Sequence, residues 1–296
     1  MKLYSVMDIG GTYVKSAVMN ERGEVVSEER IPTPEQGEGE IFKLIRSIVH
    51  RDINVYPAIS GLALSVPAAV NVDNGYVSYA GSVTDLIGSQ IKEELADLKI
   101  PIEVENDANC AALAEKWKGN AKDAESFLCV TVGTGIGGAI YLNNGILHGQ
   151  EGMAGEFGLM LLNHSGEMDD LFAKWSFSRV ASTWNMIDHL NKEFNISRTG
   201  EEWFQLYDNG DKEVAIIVER FYYRMSLGII NLMHIFAPEK IMVGGGLSER
   251  GDLIDFIRQQ VAKVPTPIAR KIKIEACRQG NQAGLIGALY HFLQKH

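Results

Sequence analysis

Asp107 stands in the stretch Val104–Glu115, VENDANCAALAE, just after an apolar run, IPIEVE, and just before a helix-like run, CAALAE. A carboxylate at such a junction has two available roles. Asn106 or Asp107 can cap the helix through a side-chain oxygen that accepts an amide hydrogen bond. Alternatively, Asp107 stays ionised beside the helix N-terminus, orients a hydroxyl and accepts its proton as a phosphoryl bond forms. The two roles are compatible.

Three glycine clusters supply the complementary chemistry. In Asp8-Ile-Gly-Gly-Thr12, Gly10 and Gly11 can offer successive backbone donors to phosphate, and Thr12 adds a hydroxyl. Asp8 repels phosphate but suits a hydrated magnesium ion. In Thr131-Val-Gly-Thr-Gly-Ile-Gly-Gly138, Gly133 and Gly135 permit close approach, with Thr134 between them. Neither cluster has the GxGxxG spacing of a dinucleotide fold, and no GK[ST] follows as a P-loop requires. Each therefore reads as a hairpin that grips phosphate or as a tight bend between core strands. Gly244, Gly245 and Gly246 follow KIMV and would let an adenine or ribose lie against the backbone.

The elements needed to position these groups are legible as strands and helices. LYSVMD, YVKSAVM and EVVSEER read as three strands joined by tight turns, and IPTPEQGEG as a surface loop. Residues 40–50 place Ile41, Leu44, Ile45 and Ile48 on one helical face. AISGLALSVP is a strand, SVTDLIGSQIKEELAD a helix, and IPIEVE the strand that leads into Asp107. Strands alternating with helices give an α/β core, and the early hairpin makes its sheet mixed. FLCVTVGTGIGGAIYLNNG echoes LYSVMDIGGTYVKSAVMNERG, which suggests two related halves. Residues 163–215 are more helical, residues 214–236 form a long apolar helix with a kink expected near Gly228, and NQAGLIGALYHFLQ gives a closely packed final helix.

Composition sets the outer bounds. A chain of 296 residues, 46% hydrophobic, has ample material for a core, in one large domain or two ordinary ones. A net charge of -10 argues against bulk affinity for nucleic acid or anionic lipid. Cys110, Cys129 and Cys277 match no paired metal spacing and read as reduced cysteines of a cytoplasmic protein. The start, MKLYSVMDIGG, is not a secretory signal, and no run resembles a membrane span.

Taken together, DIGGT at 8–12, ENDAN at 105–109, GTGIGG at 133–138, GEFG at 155–158 and GGG at 244–246 resemble the repressor–open reading frame–kinase (ROK) family of bacterial sugar kinases and repressors. Their order covers nearly the whole chain. The resemblance implies an α/β, two-lobed actin-like ATPase (ribonuclease H-like) fold of the sugar-kinase type, closing over a cleft. It implies lobes of 1–108, with a final helix near 282–296 returning to the first lobe, and of 109–281, as well as a homodimer. DIGGT and GTGIGG look like the phosphate-gripping hairpins, GGG lies near the adenosine, and Asp107 is similar to the catalytic base. Asn106 and Glu156 resemble sugar-hydroxyl ligands, and the turn Ser65-Val-Pro67 lines the sugar side. ATP and magnesium are the implied cofactors.

Two departures bear on substrate. Family members often continue GE-x-GH and then carry CxCGxxGC, whose His and cysteines hold zinc; here the chain reads Gly155-Glu-Phe-Gly-Leu159 and then MLLNHSGEMDDLF. No usual zinc site is expected, although His164, Asp169 and Asp170 offer a different metal-ligand set. The usual His also touches the sugar, and an expected Asn-bearing segment is replaced by SYAGSVTD. Zinc-lacking members that phosphorylate β-glucosides at the outer hydroxyl look similar. The expected activity is ATP-dependent phosphorylation of a hexose or β-glucoside at the 6-hydroxyl, with glucose and N-acetylmannosamine as alternatives. A sugar-responsive regulator is the rival class, but Asp8 follows the start too closely for a DNA-binding segment.

Overall fold

The computed structural model describes residues 2–163 and 167–296, with Asp169 by its backbone alone. The chain divides into two compact units, residues 1–122, 145–154 and 281–296 in the first and residues 123–144 and 155–280 in the second. The helix that begins at Asp107 belongs to the first unit, so the first crossing falls after Lys122 rather than after residue 108.

In the first unit, β1 (Leu3–Ile9) pairs antiparallel with β2 (Tyr13–Asn20), which pairs antiparallel with β3 (Val25–Pro32). On its other side β1 pairs parallel with β4 (Ile59–Val66), and β4 with β7 (Ile102–Asn106), giving the mixed order β3-β2-β1-β4-β7. The two-residue side-chain period of a strand sorts this sheet into two apolar faces. Met7, Ile9, Val14, Leu62 and Leu64 form one core with Ile41, Phe42, Ile45, Ile48 and Val49 of α1 (Glu40–Val55). Tyr4, Val6, Ala17, Met19 and Ala63 form the other with α3 (Asp107–Lys118) and α10 (Ala283–Lys295). Gly287 is required here, because a Cβ on it would lie 1.9 Å from the carbonyl oxygen of Cys110 in α3.

The helix expected over SVTDLIGSQIKEELAD is reduced to one turn, α2 (Ile91–Glu94), between 3-10 turns. Gly88 takes φ +78°; its amide donates to the Val77 carbonyl, and the Ser89 carbonyl accepts from the Val77 amide, in β6 (Val77–Ala80), which pairs with β5 (Ala68–Val70). Burial of Val83, Leu86, Ile91, Leu95 and Leu98 decides the path over local helix preference. The short β10 (Gly145–Ile146) opens the segment that returns to this unit.

The second unit repeats the first one's hairpin and its parallel extension. β8 (Phe127–Val132) pairs antiparallel with β9 (Ile136–Leu142) and parallel with β11 (Lys240–Gly245), which pairs parallel with β12 (Lys273–Ala276). The arrangement β9-β8-β11-β12 matches β2-β1-β4-β7, so the echo in sequence is an echo in topology. Helices α4 (Met168–Trp175), α5 (Phe177–Ala181), α6 (Thr183–Glu193), α7 (Gly200–Asp208), α8 (Lys212–Phe236) and α9 (Gly251–Ala262) complete the unit. α8 is one 25-residue helix with no break at Gly228. That glycine is a packing device: a Cβ there would come within 2.2 Å of the Phe177 ring. Among the described residues, no helix is long and apolar enough to cross a membrane.

Candidate active site

In the first unit, the Gly10–Thr12 bend joins two strands that pair as far as Ile9 and Val14. The Gly10 amide donates to the Tyr13 carbonyl at 3.0 Å, closing the bend upon itself. The Gly10 amide is thus engaged within the bend, whereas the amides of Gly11 and Thr12, both exposed, have no such partner among the described residues. Thr33 clamps the bend from outside: its hydroxyl donates to the Gly10 carbonyl at 2.6 Å and its amide to the Thr12 carbonyl at 3.0 Å. Nothing in the Pro-rich loop sequence singled out this threonine.

Asp8, at the end of β1, receives the Ser65 hydroxyl at 2.8 Å and the Lys15 ammonium at 3.4 Å. Ser65 is fully buried, and its hydroxyl supports Asp8. Pro67, two residues on, is half-buried. The Asp8 carboxyl lies against the start of α10, where a Cβ on Gly284 would fall 2.4 Å from Oδ1. One carboxylate with a single long ammonium contact on its second oxygen fits a hydrated magnesium ion carried by a nucleotide, held through water. It does not fit a resident metal cage, and no group of three His, Cys, Asp or Glu among the described residues could hold one. Of the alternative metal ligands, His164 lies outside the described residues.

The strand-to-helix junction separates the two roles that the sequence left open. Asn106 is the N-cap of α3: its Oδ1 accepts from the amides of Ala108 at 2.9 Å and Asn109 at 3.1 Å. Its Nδ2 donates to the Ala68 carbonyl at 3.1 Å, which leaves the second Nδ2 hydrogen for a ligand. Asp107 is the first helical residue and is exposed, with Oδ1 accepting from the Ala108 amide at 2.8 Å. The cap is thus Asn106, and the adjacent carboxylate is presented at the helix N-terminus.

Beneath this junction lies a residue that the sequence reading missed. Glu105 is fully buried, and its Oε1 accepts from the Asn106 amide at 2.8 Å and from Asn109 Nδ2 at 2.9 Å. Its Oε2 is met by His148 Nε2 at 2.7 Å and by His291 Nδ1 at 3.5 Å. Burial pushes Glu105 upward, but the hydrogen bond and charge of His148, with His291 and Asn109, hold it below the usual carboxylate range. Burial likewise pulls His148 down, and the bond and charge of Glu105 overcome it, leaving its pKa raised. His291, the more buried, is shifted downward by burial. The available signal was a pair of glutamates, Glu103 and Glu105, inside an otherwise apolar strand.

In the second unit, Gly133, Thr134 and Gly135 form the exposed tip of the β8–β9 bend, closed by the Gly133 amide donating to the Gly135 carbonyl at 2.9 Å. Ser178 Oγ accepts from the Ile136 amide at 2.8 Å, and the Thr183 amide at the start of α6 donates to the Gly133 carbonyl at 3.1 Å. Gly138 of this motif and Gly158 of GEFG are packing positions: a Cβ on Gly138 would strike Phe157 at 2.1 Å, and one on Gly158 would strike the Ile136 carbonyl at 2.2 Å. Those contacts fix Glu156 of GEFG, an exposed residue whose carboxyl is pushed upward by the protein crowding it. Leu159 is 51% exposed.

The three glycines after KIMV divide by environment. Gly244 is buried in the ladder opposite Thr131, with Cys277 Sγ 3.0 Å from where its Cβ would be, so it packs within the sheet. Gly245 has φ +87° and lies tight against the Val132 carbonyl. Gly245 and Gly246 are exposed, and Gly246 has open space on its Cβ side.

Two mixed sheets, each with a glycine-tipped hairpin at its centre, and an aspartate presented at a strand-to-helix junction, define an α/β protein of the actin-like sugar-kinase class. The ROK family model matches residues 4–295, and the chain belongs to the ROK family. It is 33% identical over 297 residues to a beta-glucoside kinase from Listeria innocua, covering 98% of this chain and 97% of that one. Among solved structures, a ROK family protein from Streptococcus pneumoniae in complex with sucrose is similar at TM-score 0.85 and 29% identity, covering 98% of both chains. A ROK family glucokinase from Streptomyces griseus in complex with glucose and AMPPNP is similar at TM-score 0.82 and 25% identity, covering 97% of this chain and 98% of that chain. This chain is accordingly an ATP-dependent sugar kinase of the ROK family.

Proposed function

We propose that the enzyme transfers the γ-phosphoryl group of magnesium ATP to the 6-hydroxyl of a β-glucoside, with Asp107 as the base. The observation that carries this reading is the division of labour at the junction. Because Asn106 caps α3, the neighbouring Asp107 carboxylate is left exposed at the positive end of the helix. There it orients a sugar hydroxyl and accepts its proton as the new phosphoryl bond forms.

The remaining residues have roles suited to their chemistry. The amides of Gly11, Thr12, Thr134 and Gly135 donate to phosphate oxygens, and Asp8 holds the hydrated magnesium that offsets phosphate charge. Gly245 and Gly246 let the nucleoside approach the backbone. Asn106 donates its second amide hydrogen to a sugar oxygen, Glu156 accepts from a sugar hydroxyl, and Pro67 lines the sugar side.

Preference for a β-glucoside over a free hexose is supported by Leu159, which departs from the GE-x-GH pattern that the family resemblance implies. It is also supported by 33% identity to a beta-glucoside kinase, while likeness to a structure in complex with sucrose, an α-glucoside, supports only room for a second ring. The test is ATP consumption with cellobiose, a simple β-glucoside, glucose, N-acetylmannosamine and fructose. The highest kcat/KM is expected for a β-glucoside. A higher value for glucose or N-acetylmannosamine overturns the substrate assignment, and no stimulation by any sugar overturns the reaction itself.

A further inference from the structure

The chain carries a net charge of -10, yet one groove on the second unit concentrates unpaired positive charge. It lies between α5, α6 and α8, has a volume of about 280 Å³, and carries Arg179, Arg220 and Arg224 in its lining, with Asp188 and Lys192 as an ion pair on the α6 side. Arg220 and Arg224 stand four apart on α8, a like-charge spacing that weakens a helix. Among the described residues none of the three arginines has an ion-pair or hydrogen-bond partner, and Arg224 is half-buried. Burial and the neighbouring Arg220 pull the Arg224 pKa below its ordinary value, the mark of a charge lacking compensation. The lysine of the groove, Lys192, is already neutralised by Asp188 at 2.6 Å.

We propose that this groove binds a phosphomonoester of a small hydroxylated molecule, of the sugar-phosphate class, at a site separate from the catalytic residues. Guanidinium groups match phosphate geometry with paired hydrogen bonds, and a phosphate among them relieves the Arg220–Arg224 repulsion. The volume approaches the lower end of small-molecule sites, ~300 Å³, which leaves room beyond a lone phosphate. Asn185 on the α6 wall, whose Nδ2 is held by Ser178 and Ser182, has its Oδ1 to accept from a hydroxyl. None of the glycine-bend residues or Asp107 lines the groove.

The test uses the full-length chain with its catalytic site filled by a non-hydrolysable ATP analogue and sugar. Calorimetric titration with glucose 6-phosphate is expected to show one further site, weaker for inorganic phosphate and absent for glucose. The double variant Arg220→Ala/Arg224→Ala is expected to lose at least about 10-fold in affinity, as removal of charge-assisted hydrogen bonds does. Without ligand it should melt no lower than the parent, because a repulsive pair has been removed. The single variant Arg179→Gln should weaken binding by itself. Unchanged affinity in these variants, or no further site in the parent, overturns the proposal. Equal binding of inorganic phosphate overturns its hydroxyl component. A change of oligomeric state in the double variant with phosphate binding intact would mean that the groove pairs copies of the chain instead.

Discussion

His148 Nε2 lies 2.7 Å from Glu105 Oε2, and this bond ties the returning segment 145–154 to the strand that ends at Asn106. The same carboxylate, through its other oxygen, fixes the Asn106 amide and the Asn109 side chain. One buried acid therefore sets both the helix cap and the position of a loop distant in sequence.

The sign of the pH dependence follows from the two shifts. His148 is raised above its ordinary 6.5, so its contribution is full below that value and fades as pH climbs through the folded-state value. Glu105 is lowered from 4.5, so its contribution is full above that value and fades as pH falls through its folded-state value. Besides each other, the pair faces His291, Asn109, Lys295 and Asp73. Hydrogen exchange corrected for intrinsic rate is expected to show protection of the Ala154 amide, which donates to the His148 carbonyl, falling from pH 6 to alkaline pH. Unchanged protection in His148→Ala would exclude the tie.

Replacing Asp107 by asparagine keeps an oxygen that can accept from the Ala108 amide, so the fold should be retained. Turnover at saturating ATP and sugar is expected to fall by at least about 100-fold, the usual scale of lost general-base help. Near-parental kcat with a parental melting curve would remove Asp107 from the chemistry.

Gly287→Ala places a methyl group on the Cys110 backbone, which has no flexible end to move aside. A loss of at least ~2 kcal/mol in denaturant unfolding is expected, from overpacking. Gly246→Ala meets nothing within 4 Å and should leave stability within ~0.5 kcal/mol. Its effect should fall on the KM for ATP, raised several-fold if the nucleoside lies over that glycine. A stability loss with an unchanged KM would assign Gly246 to the scaffold.

Ser65→Ala removes the buried donor to Asp8 without adding bulk. About 1–3 kcal/mol of stability should be lost, and the magnesium concentration for half-maximal turnover should rise. Altered sugar KM with unaltered magnesium dependence would instead support a sugar-side role for this serine.

Much of the scaffold was legible because long apolar strands and periodic helices carry strong local signals. β1, β2, β4, β7, α1, α8 and α10 all lie where periodicity placed them. The region after Ala80 was not, since burial of Val83, Leu86 and Ile91 and bonds to Val77 overrode a helical pattern. Within the site, motif spacing located the bends but not which amides remain available. That distinction depends on closure bonds such as Gly10 to Tyr13. Thr33, Glu105, His148 and Ser178 stayed hidden because each acts through a contact made across the fold, and no short motif encodes one.

The first unit is assembled from three separate stretches of chain, the last being residues 281–296. Leu285, Leu289 and Phe292 of that stretch complete the core around Tyr4 and Val6. The strands of residues 3–20 therefore cannot fully bury this apolar face until a segment more than 260 residues further along the chain is made. A chain cut before Ala283 would leave the share of that face that α10 covers open to water, an invitation to chaperones and proteases.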